Sequence, residues 1–343
     1  MVLTVPISMR AAQYSSTSPS LQSNLRLNHS VPLPPLSAAL PPNSALVKIS
    51  CASLNPVDYK LPEITPYRLR NITLPAIPAG DYTGTVVDST IPGITPGQRV
   101  FGRSDPPHFG ALADYAVVLG VNNVIPLPES VSMGQGSTLG VAGLTAYQCL
   151  APNVNPGDRV LINAGSGGTG HFGIQIAKLL GCHVTTTCSA ANVEFCRGLG
   201  ADEVIDYRAV DLVPHLIGSV KATGKRFDLI VDNLPLPSLC YNAHHLLTSQ
   251  GKYITIAVPP SPLISVPRMF YLPSWLGGAS RETQFLRRRS DKAGFEQLAS
   301  WMRDEKLRVE VQEVFGLEEA GRAFEVLRGG RVRGKIVVKV AEG

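Results

Sequence analysis

The stretch "RVLINAGSGGTGHFGIQIAKLLGCHVT", residues 159–185, constrains the fold of this chain more than any other. An apolar run of buried-strand type leads into a glycine cluster, then into helical spacing over 170–180, then into a second apolar run, "HVTTTCS". Gly165, Gly167 and Gly170 then form G-x-G-x-x-G at a strand-to-helix crossing. The three glycines serve different ends. Gly165 permits the tight turn, Gly167 lets backbone N–H groups approach a pyrophosphate, and Gly170 lets the helix lie against the sheet. Ser166, Gly168 and Thr169 complete the loop, and the open helix N-terminus turns its positive end toward the phosphates. The motif alone would also suit a structural turn; strand, helix and strand in order favour a dinucleotide.

The end of the second apolar run bears on which dinucleotide. An NAD site places Asp or Glu there for the ribose 2′-hydroxyl, and that carboxylate repels a 2′-phosphate. Here "HVTTTCSAANVEF" offers Thr187, Ser189 and Asn192, and no acid before Glu194, which favours NADPH. Ser189 is also a suitable N-cap for the next helix, and the two readings are compatible.

Residues 1–130 are rich in Pro, Gly and short β-like runs, among them "MRAAQY", "ALVKIS", "GTVVDS", "QRVFGR" and "ADYAVVL", which predicts an antiparallel β domain. Residues 131–260 alternate strand-like and helix-like runs, which predicts βαβ units on a parallel sheet. Two helical patterns, "FEQLASWMRDEKL" and "LEEAGRAFEVLRGG", precede a closing strand, "GKIVVKV". The 31 Lys and Arg against 26 Asp and Glu leave +5, too mild a charge to imply nucleic acid. The six cysteines are scattered without a C-x-x-C pair, so neither a disulfide framework nor a zinc lobe is expected, and a reducing, cytoplasmic setting is. No integral membrane segment is expected: the longest apolar candidate, "YITIAVPPSPLISVPRMFYLPSWLGG", is broken by prolines and Arg268 and reads as a covering loop. The acid-free start, with no acidic residue before Asp58, also suits a transit peptide, but strand-like sequence from residue 9 leaves only a short leader.

The chain resembles the medium-chain dehydrogenase/reductases, and among them the zinc-free quinone oxidoreductase-like and enoyl reductase branch. The resemblance runs through "SLNPVDYK" (53–60), "PAIPAGDYTGTVV" (75–87), "GALADYAVV" (110–118), "GLTAYQCL" (143–150), the glycine loop, "LGADEVIDY" (199–207) and "RGKIVVKV" (333–340). It implies an α/β protein, a doubly wound Rossmann domain at 131–279 with a GroES-like β-rich catalytic domain from 1–130 and 280–343, and a cleft between them. Zinc-dependent relatives carry "GHE" where this chain has "GDY" (80–82), and no cysteine cluster follows "VFGR", so no metal is expected. Without a Lewis acid, a conjugated acceptor suits the site better than a simple ketone.

The same resemblance implies site residues. Asn55 and Asp58 match polar positions lining the cleft, and Lys60 stands where some quinone reductases place a tyrosine, with Tyr59 as its rival for hydrogen bonding the acceptor oxygen. Thr145 matches a residue near the nicotinamide amide, Tyr207 one beside the 2′-phosphate, and Asn233 and Val258 end later strands at the sheet's carboxyl edge. Relatives often carry Lys or Arg at position 192; here Asn192 leaves the phosphate clamp to Arg208 or Lys335. The implied activity is NADPH-dependent reduction of a quinone or α,β-unsaturated carbonyl compound. Two alternatives stay open: a trans-acting enoyl reductase of a polyketide synthase pathway, fed by an acyl carrier protein, and a non-catalytic NADPH-binding scaffold. A Pro-rich loop at 259–277 with Phe270, Tyr271, Leu272, Trp275 and Leu276 could wall such a chain, though core or dimer contact explains it as well; "RRR" at 287–289 reads first as a solvated loop face and could also touch an acidic carrier protein or lipid surface, and a homodimer is expected.

Overall fold

A computed structural model describes residues 7–34, 40–258, 262–272, 278, 283–287 and 289–341. Contacts divide the chain into two units, Met1–Leu144 with Ser290–Gly343, and Thr145–Arg289.

The second unit holds a six-stranded sheet, ordered Glu203–Asp206, His183–Cys188, Arg159–Asn163, Phe227–Asp232, Leu247–Thr255 and Thr283–Phe285. Every neighbouring pair is parallel. The chain winds outward from Arg159–Asn163 to one edge, then returns to Phe227–Asp232 and winds to the other, the doubly wound order predicted from sequence. Its strands read as continuous apolar runs because helices cover both faces: Val160, Leu161, Leu229 and Ile230 are fully enclosed. Each such side chain contributes about 1.5–3 kcal/mol by leaving water. The Gly168–Leu179 helix buries Phe172, Ile174, Ile176 and Ala177, the residues whose spacing announced it. The Leu212–Thr223 helix stops at Gly224, whose φ of 71° is the left-handed cap glycine adopts readily.

The first unit is built on a seven-stranded sheet in which Ser44–Leu54 pairs with Asp81–Ser89, Tyr115–Leu119 and Lys335–Lys339. It is antiparallel except where Val311–Gly316 runs parallel to Lys335–Lys339. Ser8–Tyr14 and Leu25–Pro32 form a separate antiparallel pair. Tyr82, Ile49, Leu54, Phe324, Ile336 and Val338 meet in its core.

The division falls at 144/145 and 289/290, where the sequence pattern suggests 130/131 and 279/280. The turn at 133–141 stays with the β unit because polar bonds hold it there: Thr83 Oγ1 donates to Met133 O at 2.8 Å and Val141 N to Asp81 Oδ2 at 2.9 Å. The span read as a covering loop contains a helix, Pro262–Phe270; proline at a helix start is tolerated. Trp275 and Leu276 of that span, and Arg288 of the arginine run, lie outside the described residues. All six cysteines are buried and free. Among the described residues no helix is long and apolar enough to cross a membrane.

Candidate functional site

The glycine loop leaves the sheet at Asn163, on the strand where the winding reverses direction, the topological position at which open α/β sheets bind ligands. Two of the motif's three glycines, Gly165 and Gly170, are enforced by neighbours. A Cβ on Gly165 would stand 2.0 Å from Thr186 Oγ1, and one on Gly170 2.2 Å from Ala164 O; both are excluded by the protein's own packing. A Cβ on Gly167 would meet nothing closer than Ala164 O at 3.5 Å, an ordinary contact, and its φ of −80° suits any residue. The bare backbone at Gly167 therefore has no reason inside the fold, which is what a cradle for an external group requires. Ser166, Gly167, Gly168 and Thr169 are all partly accessible. No side chain caps the helix that follows, and its first turn carries no acid, so its N–H groups and positive dipole end remain available to an anion. His171 is buried with Nδ1 3.1 Å from Gly167 O, a packing role within the turn.

Around the loop, Asn233 Nδ2 donates to Asn163 O at 2.9 Å while its Oδ1 is buried with no partner. Elsewhere in the same unit the Thr145 hydroxyl is likewise buried and unpartnered. Ser189 and Asn192 are half-exposed and joined by a 3.4 Å bond from Asn192 Nδ2 to Ser189 Oγ; the side-chain cap expected of Ser189 is not made. Tyr207 N donates to Cys188 O at 3.1 Å, which sets Tyr207 beside Ser189, with the Arg208 guanidinium 5.7 Å from the Tyr207 ring centre. These groups fit a dinucleotide: a bare backbone cradle, an uncapped helix, and the orphaned Asn233 amide oxygen beside them. Val258 does not end a strand as expected. That strand stops at Thr255, and Val258 lies beyond it, more than half exposed.

In the first unit the chain passes from the Ser44–Leu54 strand through Asn55 into the Val57–Glu63 helix. Asp58 Oδ2 accepts from Asn55 N at 2.7 Å, closing the turn as the acidic half of a capping box does. Asn55 Nδ2 donates to Asp81 Oδ2 at 2.7 Å, and Lys335 Nζ donates to Asn55 Oδ1 and, at 3.0 Å, to Leu54 O. Asn55, Asp58, Asp81 and Lys335 are all buried, and Asp58 and Asp81 each keep one oxygen without a partner. Burial, reinforced by the neighbouring Asp81 charge, pushes Asp58 up to about 7. Burial raises Asp81 too, and it lowers Lys335 although both carboxylates oppose that shift.

This arrangement corrects several expectations. Lys335 is 3% exposed and is held between a carbonyl and an amide oxygen, so it is no clamp for a solvent-facing phosphate. Asp58 is fully enclosed and Asn55 has both ends of its amide engaged; they hold the backbone rather than meet a substrate. The Tyr59 ring packs edge-on against Phe324 at 6.4 Å with the Arg328 guanidinium 4.0 Å above it, a core position. Of the four residues put forward for chemistry, Lys60 alone is exposed. Asp81, Asn163 and Asp232, buried polar residues in otherwise apolar strands, escape a reading of the sequence; a charge inside "AGDYTG" or closing "FDLIVD" is the available signal.

Residues 41–129 match the alcohol dehydrogenase GroES-like domain family and residues 199–338 a zinc-binding dehydrogenase family. The chain is 40% identical over its whole length to a trans-enoyl reductase, pgmF, of Aspergillus terreus, covering 99% of that protein. It is 31% identical to a chloroplastic quinone-oxidoreductase homolog of Spinacia oleracea, with 96% of this chain and 98% of that one aligned. A solved quinone oxidoreductase from Coxiella burnetii superposes with a TM-score of 0.81 at 30% identity, over 97% of this chain and 99% of that one. The residues present do not fit the zinc that one family description implies: among the described residues no three His, Cys, Asp or Glu side chains converge, and the buried carboxylate pair already faces the Lys335 ammonium. The glycine loop at the sheet reversal, the GroES-like β unit and these full-length relatives together make this chain a member of the medium-chain dehydrogenase/reductase superfamily, an oxidoreductase of the quinone oxidoreductase-like and enoyl reductase kind.

Proposed function

We propose that the chain is a zinc-independent, NADPH-dependent reductase of a carbon–carbon double bond conjugated to a carbonyl, and that its acceptor is an enoyl thioester presented in trans by a carrier protein. Gly167 is the observation that carries the cofactor half of this reading: of the three motif glycines, it is the one whose Cβ the fold would admit. The trans-enoyl reductase relative, aligned from end to end, supports the acceptor half.

When bound, the nicotinamide supplies the hydride. Gly165 to Gly170 and the following helix hold the pyrophosphate, Thr145 and Asn233 offer their unpartnered oxygens, and Ser189, Asn192, Tyr207 and Arg208 surround the 2′-phosphate. With Lys335 enclosed, Arg208 is the cation left for that phosphate. Lys60, exposed on its helix, is assigned to hydrogen bond the acceptor's carbonyl oxygen, where charge accumulates once the adjacent double bond is reduced. The Asn55–Asp58–Asp81–Lys335 cluster fixes the start of the helix that carries Lys60.

A second reading, quinone reduction, is favoured by the 30% identical quinone oxidoreductase structure. Loss of NADPH absorbance is measured with crotonyl-N-acetylcysteamine, with a simple enone and with a simple quinone, and NADH is run in parallel. Turnover of the thioester in preference to the quinone is the expected result. Turnover of the quinone alone selects the second reading, and NADPH binding without turnover of these free acceptors or of a carrier-bound enoyl thioester refutes both and leaves a scaffold.

A further inference from the structure

Asp232 closes the Phe227–Asp232 strand, fully enclosed, and every group that reaches its side chain is a donor. Asn163 Nδ2 donates to Oδ1 at 2.7 Å; Leu236 N, at 2.8 Å, and the Tyr253 hydroxyl donate to Oδ2. Burial raises Asp232 above the usual carboxylate range, and each of these donors opposes that shift by favouring the carboxylate. The bonds do not stop there. Asn163 Oδ1 accepts from Thr187 Oγ1 at 2.6 Å, and Thr187 Oγ1 accepts from Ala164 N at 2.9 Å, while Gly165 N donates to Thr187 O at 2.9 Å. One chain of polar contacts thus crosses the ends of three neighbouring strands and finishes on the first residue of the glycine loop. Ala164 holds a φ of 61°, a left-handed conformation that costs a non-glycine residue energy and persists only when its neighbours impose it.

We infer that Asp232, acting through Asn163 and Thr187, is a positioning residue that orients the Asn163 amide, and with it the Ala164 turn, into the conformation that presents Gly167 to a dinucleotide. The inference rests on the reading of this loop as the nicotinamide cofactor site. Its logic is one of direction. The carboxylate, together with Leu234 O at 3.1 Å from the same Nδ2, turns the Asn163 NH2 inward, which leaves Oδ1 for the Thr187 hydroxyl; that hydroxyl, having given its proton, faces Ala164 N as an acceptor. Reversing any member reverses the rest. The other titratable groups facing Asp232 are Tyr253 and Cys240, and burial pushes both up, Cys240 to about 11, so neither changes charge near neutral pH.

The test uses the full chain and NADPH binding followed by fluorescence titration. Asn163→Asp places a second carboxylate against Asp232, so the contact survives only while a proton is shared between them. The expected result is affinity near that of the unaltered protein at low pH and a loss of about tenfold or more as pH rises from about 6 to 9, with the unaltered protein flat. Adding Asp232→Asn to the same chain restores a donor facing an acceptor and is expected to flatten the profile again. A pH-independent affinity in the single variant overturns the inference, as does a double variant as pH-sensitive as the single. If the single variant does not fold, Thr187→Val against Thr187→Ser decides: valine is expected to weaken binding about tenfold and to speed hydrogen exchange at the Ala164 amide, with serine restoring both. Equal behaviour of valine and serine overturns the inference. Failure of the unaltered protein to bind NADPH refutes the cofactor reading instead, and the exchange of the Ala164 amide, which needs no ligand, still judges the relay.

Discussion

Replacing Asp58 by Asn is expected to stabilise the protein at alkaline pH and to leave it unchanged in mild acid. Asp58 is fully enclosed, one oxygen bonded to Asn55 N and the other unpartnered, with Asp81 and Lys335 as charged neighbours. Its carboxyl is pushed from an ordinary value of 3.8 up to about 7. Below the ordinary value both folded and unfolded chains hold the proton, and whatever Asp58 contributes is fully present. Between about 4 and 7 the folded chain keeps a proton that the unfolded chain has released, so stability falls by about 1.4 kcal/mol per pH unit. The loss reaches up to about 4 kcal/mol once pH passes the folded value, a large part of a typical 5–15 kcal/mol. An amide at this position accepts the same backbone bond and never ionises. Asp81 is raised in the same direction and Lys335 is lowered; both remain in the variant, and because each interacts with Asp58, the difference between the two proteins reads the titration of the cluster as a unit. Thermal unfolding of the two proteins from about pH 4.5 to 8.5 is the assay. The melting points should coincide at the acid end and separate by roughly 10 °C at the alkaline end, the variant higher, at about 2–4 °C per kcal/mol. Parallel profiles, or a variant that is less stable throughout, would show that Asp58 is ionised in the folded protein, and the account of this cluster would be wrong.

Three further outcomes follow from the geometry. Gly167→Ala should melt like the unaltered protein yet bind NADPH at least about tenfold more weakly, whereas Gly170→Ala, whose Cβ would meet Ala164 O at 2.2 Å, should lower stability by about 1–3 kcal/mol or more; calorimetry paired with fluorescence titration separates them, and equal loss of stability in both refutes the distinction. Lys60→Met should lower kcat by about 10²-fold with KM for NADPH unchanged, since Lys60 is assigned to the acceptor oxygen and not to the cofactor; an unchanged kcat in steady-state assays removes it from the chemistry. Arg208→Ser should weaken NADPH about tenfold and leave NADH unaffected, and an equal effect on the two in parallel titrations would take Arg208 away from the 2′-phosphate.

The glycine loop is legible in the sequence because its signals are local: a turn, a helix start and a strand end lie within a dozen or so residues, and Gly165 and Gly170 answer to neighbours close in sequence or one strand away. Lys335 misleads for the opposite reason. In "RGKIVVKV" it looks like the exposed cation of an edge strand, and only its pairing beside Leu54 and Asn55, some 280 residues earlier, encloses it. Tyr59 misleads similarly, since the Phe324 that covers it arrives from the far end of the chain. The domain boundary slips because "MGQG" and "STLG" have helical spacing suited to either unit, and what assigns them is a pair of hydrogen bonds to Thr83 and Asp81 that no periodicity encodes. Asp232 goes unnoticed because a strand-closing aspartate is ordinary; its importance lies in the partners it meets on neighbouring strands.

The enclosed thiols give the molecule an internal clock for its own opening. Cys51 belongs to the β-rich unit, whereas Cys149, Cys182, Cys188, Cys196 and Cys240 belong to the doubly wound unit. A thiol reagent can reach none of them until the surrounding structure parts, so the rate at which each peptide gains mass reads the opening of its own unit without any engineered label. Labelling with and without NADPH would then tell which of the two units the dinucleotide holds shut.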